Sequence, residues 1–445
     1  MNPDIFKSYD VRGIYPKELD ESVAERIGRA FVEFLRPATV AVGRDMRPSS
    51  DALFRAFAKG ASEQGADVID LGLTSTDELY FAVGHFGYPA GAMITASHNP
   101  KEYNGFKLCR ENAIALSGDT GVFAIRDLAM AGAFAPASRR GAIVAKDSLP
   151  AFVEHCLSFI DAAAIKPLKV VVDAGNGMAG LIVPATFARL PVELIPLYFE
   201  LDGTFPNHPA SPIEPENMAD LQAAVRKHGA DLGAAFDGDA DRVFITDEHG
   251  ALVGGDMVTA LVAKMLLRGK PGSKILYNLI CSRSVPEVIA ASGGVPVRTR
   301  VGHSHIKAIM REENAIFGGE HSGHFYFRDH YFADSGLIAL LIVLELLSRE
   351  DKPVSALLRP LDRRVRSGEI NSHVRDARAK LAELEQRYAS TGSIDHLDGV
   401  TISYPTWWAN IRPSNTEPLL RLNVEADDAA TLAAKRDELL AVINK

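Results

Sequence analysis

The chain is poor in cysteine, with only Cys109, Cys156 and Cys281 in 445 residues. They lie far apart and form no CxxC pair, which excludes a disulfide framework and a cysteine zinc site and reads as buried thiols in a reducing compartment. No block of five or six like charges occurs. With 57 acidic residues against 48 Lys and Arg, a net charge of −9, the chain offers no surface for nucleic acid or an anionic membrane. The longest apolar run, Gly336 to Leu347, is too short to span a bilayer, and the segment from Met1 to Lys7 lacks the apolar core of a signal peptide. A cytoplasmic protein is expected. Low-complexity tracts are absent as well, and 47% apolar with 24% charged residues is an ordinary globular composition. A small anionic ligand stays open, because a few local donors hold a phosphate whatever the global charge.

The length exceeds what one hydrophobic core fills and suggests about three domains, with two to four allowed. Short β-branched runs, Thr39 to Gly43, Lys169 to Asp173 and Lys274 to Tyr277, each precede a stretch with helical apolar spacing, such as Asp51 to Gln64 and Ser284 to Ala291. This alternation predicts parallel α/β units with functional loops at the carboxyl ends of the strands. The end of the chain differs. A charged amphipathic helix over Arg378 to Tyr388 and alternating strands over Gly399 to Tyr404 and Leu419 to Val424 predict a small α+β domain.

Four loops carry residues suited to chemistry. Thr95-Ala-Ser97-His98-Asn-Pro100 follows the apolar run Ala90 to Ile94 and precedes Tyr103-Asn-Gly-Phe-Lys107. A strand-end serine before a helix-stopping proline can present its hydroxyl to a reacting group, although such a segment alone more often reads as a capped turn. Asp237-Gly-Asp239-Ala-Asp241-Arg242 lies between the strand-like Leu232 to Phe236 and Val243 to Thr246. Carboxylates at i, i+2 and i+4 can converge on a hard cation, and Gly238 lets the backbone bend around it. An EF-hand is excluded despite Glu248 at the twelfth position, because Arg242 stands where that loop requires glycine and the flanks alternate as strands. Three carboxylates leave coordination positions for water or a phosphate oxygen, which suits magnesium at a phosphoryl-transfer site.

In the third loop, Gly318-Gly-Glu320-His321-Ser322-Gly-His324, with Val301-Gly302-His303-Ser304 upstream, Glu and Ser one residue apart can hydrogen-bond to vicinal sugar hydroxyls. The fourth, Arg412-Pro-Ser414-Asn415-Thr416-Glu-Pro418, gathers a guanidinium, two hydroxyls and an amide into an anion cradle. Each of these two also reads, by itself, as a polar capped turn.

In this order and at these separations the four loops resemble those of the α-D-phosphohexomutase family, over nearly the whole chain. Within that family Tyr9-Asp-Val-Arg-Gly13, the stretch Thr95 to Lys107, Ser367 to Ser372 and Trp407-Trp408 resemble bacterial phosphomannomutases and phosphomannomutase/phosphoglucomutases. Two positions depart from the pattern. His321 stands where these enzymes commonly carry Met and phosphoglucosamine mutases more often carry Gln. Ile280 stands where Lys or Arg is frequent, and the nearest cation is Arg283.

The resemblance implies three related α/β domains with mixed sheets and a small C-terminal α+β lid, set around a central active-site cleft. The phosphoserine loop would belong to 1–145, the metal loop to 146–250, the sugar loop to 251–366 and the phosphate loop to 367–445. The implied reaction is reversible interconversion of hexose 1-phosphate and 6-phosphate, of glucose and/or mannose, through phosphorylated Ser97 and a 1,6-bisphosphate. A phosphoglucosamine mutase, a serine-dependent sugar phosphatase and a non-catalytic sugar-phosphate binder are the alternatives. Catalytic roles fall to Ser97, His98, Lys107, Arg12, Arg242 and His303. Substrate contacts fall to Tyr9, Gly302, His303, Glu320, Ser322, His324, Arg412, Ser414, Asn415 and Thr416. One Mg²⁺ per chain is implied on Asp237, Asp239, Asp241 and phosphorylated Ser97, with glucose 1,6-bisphosphate as activator and intermediate. Hexose phosphates are the expected partners, nucleic acid and membrane are not, and a monomer is the expected form.

Overall fold

A computed structural model describes residues 1–413 and 419–445, and the side chains of all of these but His303 and Ser304. The chain forms two compact units, Met1–Gly255 with Ser322–Val354, and Asp256–His321 with Ser355–Lys445.

The first unit holds two sheets. In one the strand order is Val11–Ile14, Tyr103–Arg110, Ala90–Ile94, Thr39–Arg44, Asp67–Leu73, Ile143–Ala145, with Ile114–Ala115 added to Tyr103–Arg110. Ala90–Ile94 is buried at every residue and Thr39–Arg44 along its interior, as continuous apolar runs at the centre of a covered sheet require. The pairings from Ala90–Ile94 through Thr39–Arg44 and Asp67–Leu73 to Ile143–Ala145 are parallel, and the two at the other end are antiparallel. The helix expected over 51–64 runs Ser50–Glu63.

The other sheet runs Leu252–Val253, Val243–Thr246, Leu232–Phe236, Leu168–Asp173, Val192–Leu197. Leu232–Phe236 is parallel to Leu168–Asp173 but antiparallel to Val243–Thr246, with Phe236 opposite Val243. Asp237 to Arg242 is therefore the loop of a hairpin. The same unit contains the short antiparallel pair Phe325–Phe327 and Ala333–Asp334 and the helix Gly336–Glu350. That helix is capped by Ser335 and buried from Gly336 to Ser348, so the long apolar run is a core helix.

In the second unit Val295–Thr299, Lys274–Asn278 and Phe317–Gly319 are parallel. An antiparallel sheet follows in the order Val365–His373, Leu419–Ala426, Trp407–Pro413, Val400–Ser403, Ser393–Asp395. The helices Ala377–Tyr388 and Ala429–Ile443 share its core through Leu384, Leu439 and Ile443 against Ile402, Trp407 and Leu422. The α/β architecture with a small C-terminal α+β portion is thus as expected, and its sheets are mixed because antiparallel hairpins flank the parallel strands. No helix among the described residues is long and apolar enough to cross a membrane.

Candidate active site

The strand Ala90–Ile94 is followed by Thr95, whose Oγ1 accepts the N–H of Ser97 at 2.9 Å. This turn leaves Ser97 at φ +50, a left-handed conformation that costs a non-glycine residue about 1–3 kcal/mol. The buried Ser97 Oγ donates to Asp237 Oδ2 at 2.7 Å and lies 3.2 Å from His98 Nδ1. Arg242 closes the group from the far end of the hairpin. Its Nε donates to Asp237 Oδ2 at 2.9 Å, and its Nη2 reaches Ser97 Oγ at 3.4 Å and donates to His98 Nδ1. A guanidinium has no acceptor, so Nδ1 of His98 is the accepting nitrogen. Burial first, then Arg242 and Arg12, hold His98 well below its usual range and keep the ring neutral.

Lys107, on the strand Tyr103–Arg110, serves the other two carboxylates. Its Nζ donates to Asp239 Oδ2 at 2.7 Å and to Asp241 Oδ2 at 2.5 Å. Burial opposes its charge, but Asp239 and Asp241 outweigh burial and raise it well above its usual value. Thr76, at the start of the helix Thr76–His85, adds an Oγ1 bond to Asp239 Oδ2 and an N–H bond to the Asp239 carbonyl at 3.0 Å. Burial pushes Asp239 up, yet Lys107 prevails and leaves it below the usual carboxylate range. Asp241 is pushed up to about 7 by burial and then by Asp239. Burial likewise raises Asp237 against the pull of Arg242.

One oxygen from each of Asp237, Asp239 and Asp241 lies within 4.8 Å of the others. Asp239 Oδ1 and Asp241 Oδ1 are buried with no hydrogen-bond partner among the described residues. Buried carboxylate oxygens left without a donor are costly, and a hard divalent cation is the ligand that such an all-oxygen set satisfies. The residues therefore fit magnesium. Asp241 also belongs to a second group with His324 and Asp334. There His324 Nδ1 is 3.0 Å from Ser322 Oγ, its Nε2 is 4.0 Å from Asp334 Oδ2, and burial draws the ring down to about 4.

Arg12 donates to Asn99 Oδ1, which brings it against the serine loop, and pairs with Asp10. Tyr9 is half-buried in the bend before Val11–Ile14. In the second unit Glu320 Oε1 accepts from the Gly302 N–H at 3.2 Å and from Asn278 Nδ2 at 3.3 Å. Gly302, at φ +125, caps the helix His303–Glu313. Arg412 donates to Glu369 Oε2 and stands opposite Arg421 in the neighbouring strand. Arg283 gives its guanidinium to the carbonyls of Tyr404 at 2.7 Å and Pro405 at 3.3 Å. Ser414, Asn415, Thr416 and the side chain of His303 lie outside the described residues.

Thr76, Asp334 and Arg47 escaped the sequence reading. Thr76 looks there like part of the helix start Ser75-Thr-Asp-Glu, and Arg47 like one charge in the loop after a buried strand. Only the run Arg44-Asp45-Met-Arg47 directly behind Thr39 to Gly43 hinted at more.

Four family models match the chain in order. They are alpha/beta/alpha domains I, II and III of phosphoglucomutase/phosphomannomutase at residues 3–135, 150–250 and 254–363, and the C-terminal domain at 369–442. The chain is 43% identical over 455 residues to a phosphomannomutase of Salmonella montevideo, covering 100% of this chain and 99% of that one. It is 43% identical over 452 residues to a phosphomannomutase of Escherichia coli K12, covering 99% of each. A crystal structure of a phosphoglucomutase/phosphomannomutase family protein from Burkholderia thailandensis superposes with a TM-score of 0.91 at 35% identity, over 99% of this chain and 97% of that one. Models for all four domains and relatives of this identity along the chain establish that it belongs to the phosphoglucomutase/phosphomannomutase family and is a phosphohexomutase.

Proposed function

We propose that the chain interconverts the 1-phosphate and 6-phosphate of glucose and mannose through a phosphoryl group carried on Ser97. The observation that supports this most is the buried Ser97 hydroxyl, held 2.7 Å from Asp237 among three buried carboxylates, the buried Arg242 and the half-buried Lys107. Transfer breaks the bond between phosphorus and Ser97 Oγ as a bond to a substrate hydroxyl oxygen forms. The hydroxyl proton leaves to a base, and Ser97 Oγ regains a proton when the sugar bisphosphate is complete. The reverse step takes the other phosphate of the 1,6-bisphosphate back to Ser97, so net isomerisation needs no water.

Asp237, Asp239 and Asp241 would hold magnesium, whose charge offsets that of the transferring group. Arg242 and Lys107 add fixed positive charge to the same end, and Arg12 adds more beside Asn99. His98 stays neutral and fixes Arg242 next to Ser97, which suits orientation better than proton uptake. Glu320 and Ser322 are read as partners of the sugar hydroxyls. Arg412, Ser414, Asn415 and Thr416 are read as the cradle for the phosphate that does not react. We place the reaction in the cytoplasm, in a monomer acting on free hexose phosphates, with glucose 1,6-bisphosphate as activator.

A coupled assay of 1-phosphate to 6-phosphate conversion, run on glucose, mannose and glucosamine substrates with and without glucose 1,6-bisphosphate, tests the reading. Bisphosphate-stimulated conversion of glucose and mannose phosphates is expected. Release of inorganic phosphate without isomerisation, or preference for the glucosamine substrate, would overturn it.

A further inference from the structure

Arg47 has no part in the reaction as read above, yet it is 2% exposed and packed against the reacting loop. Its guanidinium is spent on backbone carbonyls. Nη1 donates to Pro100 O at 2.7 Å and Tyr103 O at 3.0 Å, and Nη2 to Ser97 O at 2.8 Å and Asn99 O at 2.6 Å. Nε faces Asp45 Oδ2 at 3.2 Å. Asp45 is itself anchored, accepting from Ser50 Oγ at 2.6 Å and donating its N–H to Ile94 O, at the end of the strand that leads into the serine loop.

The other side of Arg47 is closed by a loop of the second sheet. A Cβ on Gly203 would meet Arg47 Cα at 2.4 Å, and the Phe205 ring lies 5.1 Å from the guanidinium carbon. The Ser97 carbonyl is hemmed in from the metal hairpin too, where a Cβ on Gly238 would come within 2.5 Å of it.

Burying a cation is unfavourable unless its partners are many and well placed. Here the rigid fork of an arginine meets four carbonyls, at 97, 99, 100 and 103. A lysine, with a single point charge on a flexible stem, cannot reproduce that set. The contacts start at the one residue of the loop held at a strained positive φ, Ser97, and run on to Tyr103, and such a conformation persists only where the surroundings over-determine it.

We propose that Arg47 is the positioning residue of the serine loop, holding its carbonyls so that the Ser97 hydroxyl stays against Asp237. It acts through the backbone and touches neither substrate nor reacting atoms. The inference rests on Ser97 as the phosphate carrier.

The test compares wild type, Arg47→Lys and Arg47→Ala, each first checked for folding by melting temperature and circular dichroism. Amide hydrogen exchange is followed over residues 95–105, and turnover is measured with glucose 1-phosphate and glucose 1,6-bisphosphate. For R47K the expected result is a fall in kcat of about 100-fold, the scale of a displacement near 1 Å, with KM within about threefold of wild type. Exchange should speed up in the serine loop and nowhere else. For R47A, millimolar guanidinium chloride should restore activity about tenfold. R47K with wild-type kcat and unchanged exchange overturns the proposal, as does a loss of activity that merely tracks the unfolded fraction. If the wild type fails to isomerise hexose phosphates the mutase reading falls, and the exchange measurement still decides whether Arg47 holds the loop.

Discussion

Ser97 Oγ donates to Asp237 Oδ2 at 2.7 Å across 140 residues of sequence. One partner follows the strand Ala90–Ile94 of one sheet and the other the strand Leu232–Phe236 of the next, so the serine loop and the carboxylate hairpin are joined where two strand ends meet.

The proposed role of Ser97 as phosphate carrier is tested by a substitution that removes its hydroxyl and leaves the charges around it in place. Ser97→Ala is expected to lose at least about 10³-fold in kcat even with glucose 1,6-bisphosphate supplied. Activity near wild type in the coupled assay would show that the phosphoryl group travels by another route.

The unpartnered oxygens of Asp239 and Asp241 predict metal dependence. Chelation should abolish turnover, and added Mg²⁺ should restore it. Mg²⁺ at about 100 times its Kd should also stabilise the folded protein by roughly 2.7 kcal/mol. Asp239→Asn should lose the Mg²⁺-dependent rise in melting temperature, and an undiminished rise in that variant would place the ion elsewhere.

Gly238 approaches the serine loop more closely than a side chain allows. Its Cβ would stand 2.5 Å from Ser97 O, a backbone atom with little freedom to yield. Gly238→Ala should push the two loops apart and lower kcat at least about tenfold with a smaller effect on KM. Steady-state kinetics showing unchanged kcat would mean the loops tolerate separation.

Asp77 supplies a pH signature of stability. It is fully buried in the first turn of the helix Thr76–His85, with Oδ2 accepting from Ser335 Oγ at 2.7 Å. Burial outweighs its hydrogen bonds to Ser335 and Ser75 and pushes it up to about 8. Its unfolded value is about 3.9. Below that pH both states hold the proton. From there to about 8 the unfolded chain ionises while the folded one does not, so this group weakens folding as pH rises, by up to about 1.4 kcal/mol per pH unit. Between pH 5 and 8 Asp77→Asn should gain about 2 kcal/mol or more on the wild type, read from denaturant melts. A difference that stays flat with pH would mean Asp77 is ionised in the fold.

The carboxylate hairpin was legible in the sequence because its signal is local. The strands Leu232–Phe236 and Val243–Thr246 begin and end at the residues where the apolar runs do. Ser97 became legible only through the company of the other loops, since its own segment reads as a turn. The role of Arg47 left no more in the sequence than its place in the run behind a buried strand, because its partners stand 50 to 56 residues away and are carbonyls, which every residue carries. His324 was assigned to the substrate through the family resemblance, and its neighbours Asp241 and Asp334 come from a distant hairpin and a short strand. Backbone acceptors and pairings between separate elements leave no periodic trace for a sequence to show.

The three thiols sort themselves between the two units. Cys109 and Cys156 are buried in Met1–Gly255, and Cys281 is buried in Asp256–His321. Burial raises Cys156 and Cys281 well above the usual thiol range, so neither reacts from the closed state. A thiol reagent must wait for an opening of the surrounding fold. The wild-type chain thus carries its own timers, and site-resolved labelling of one cysteine against another would clock the breathing of each unit separately without an introduced probe.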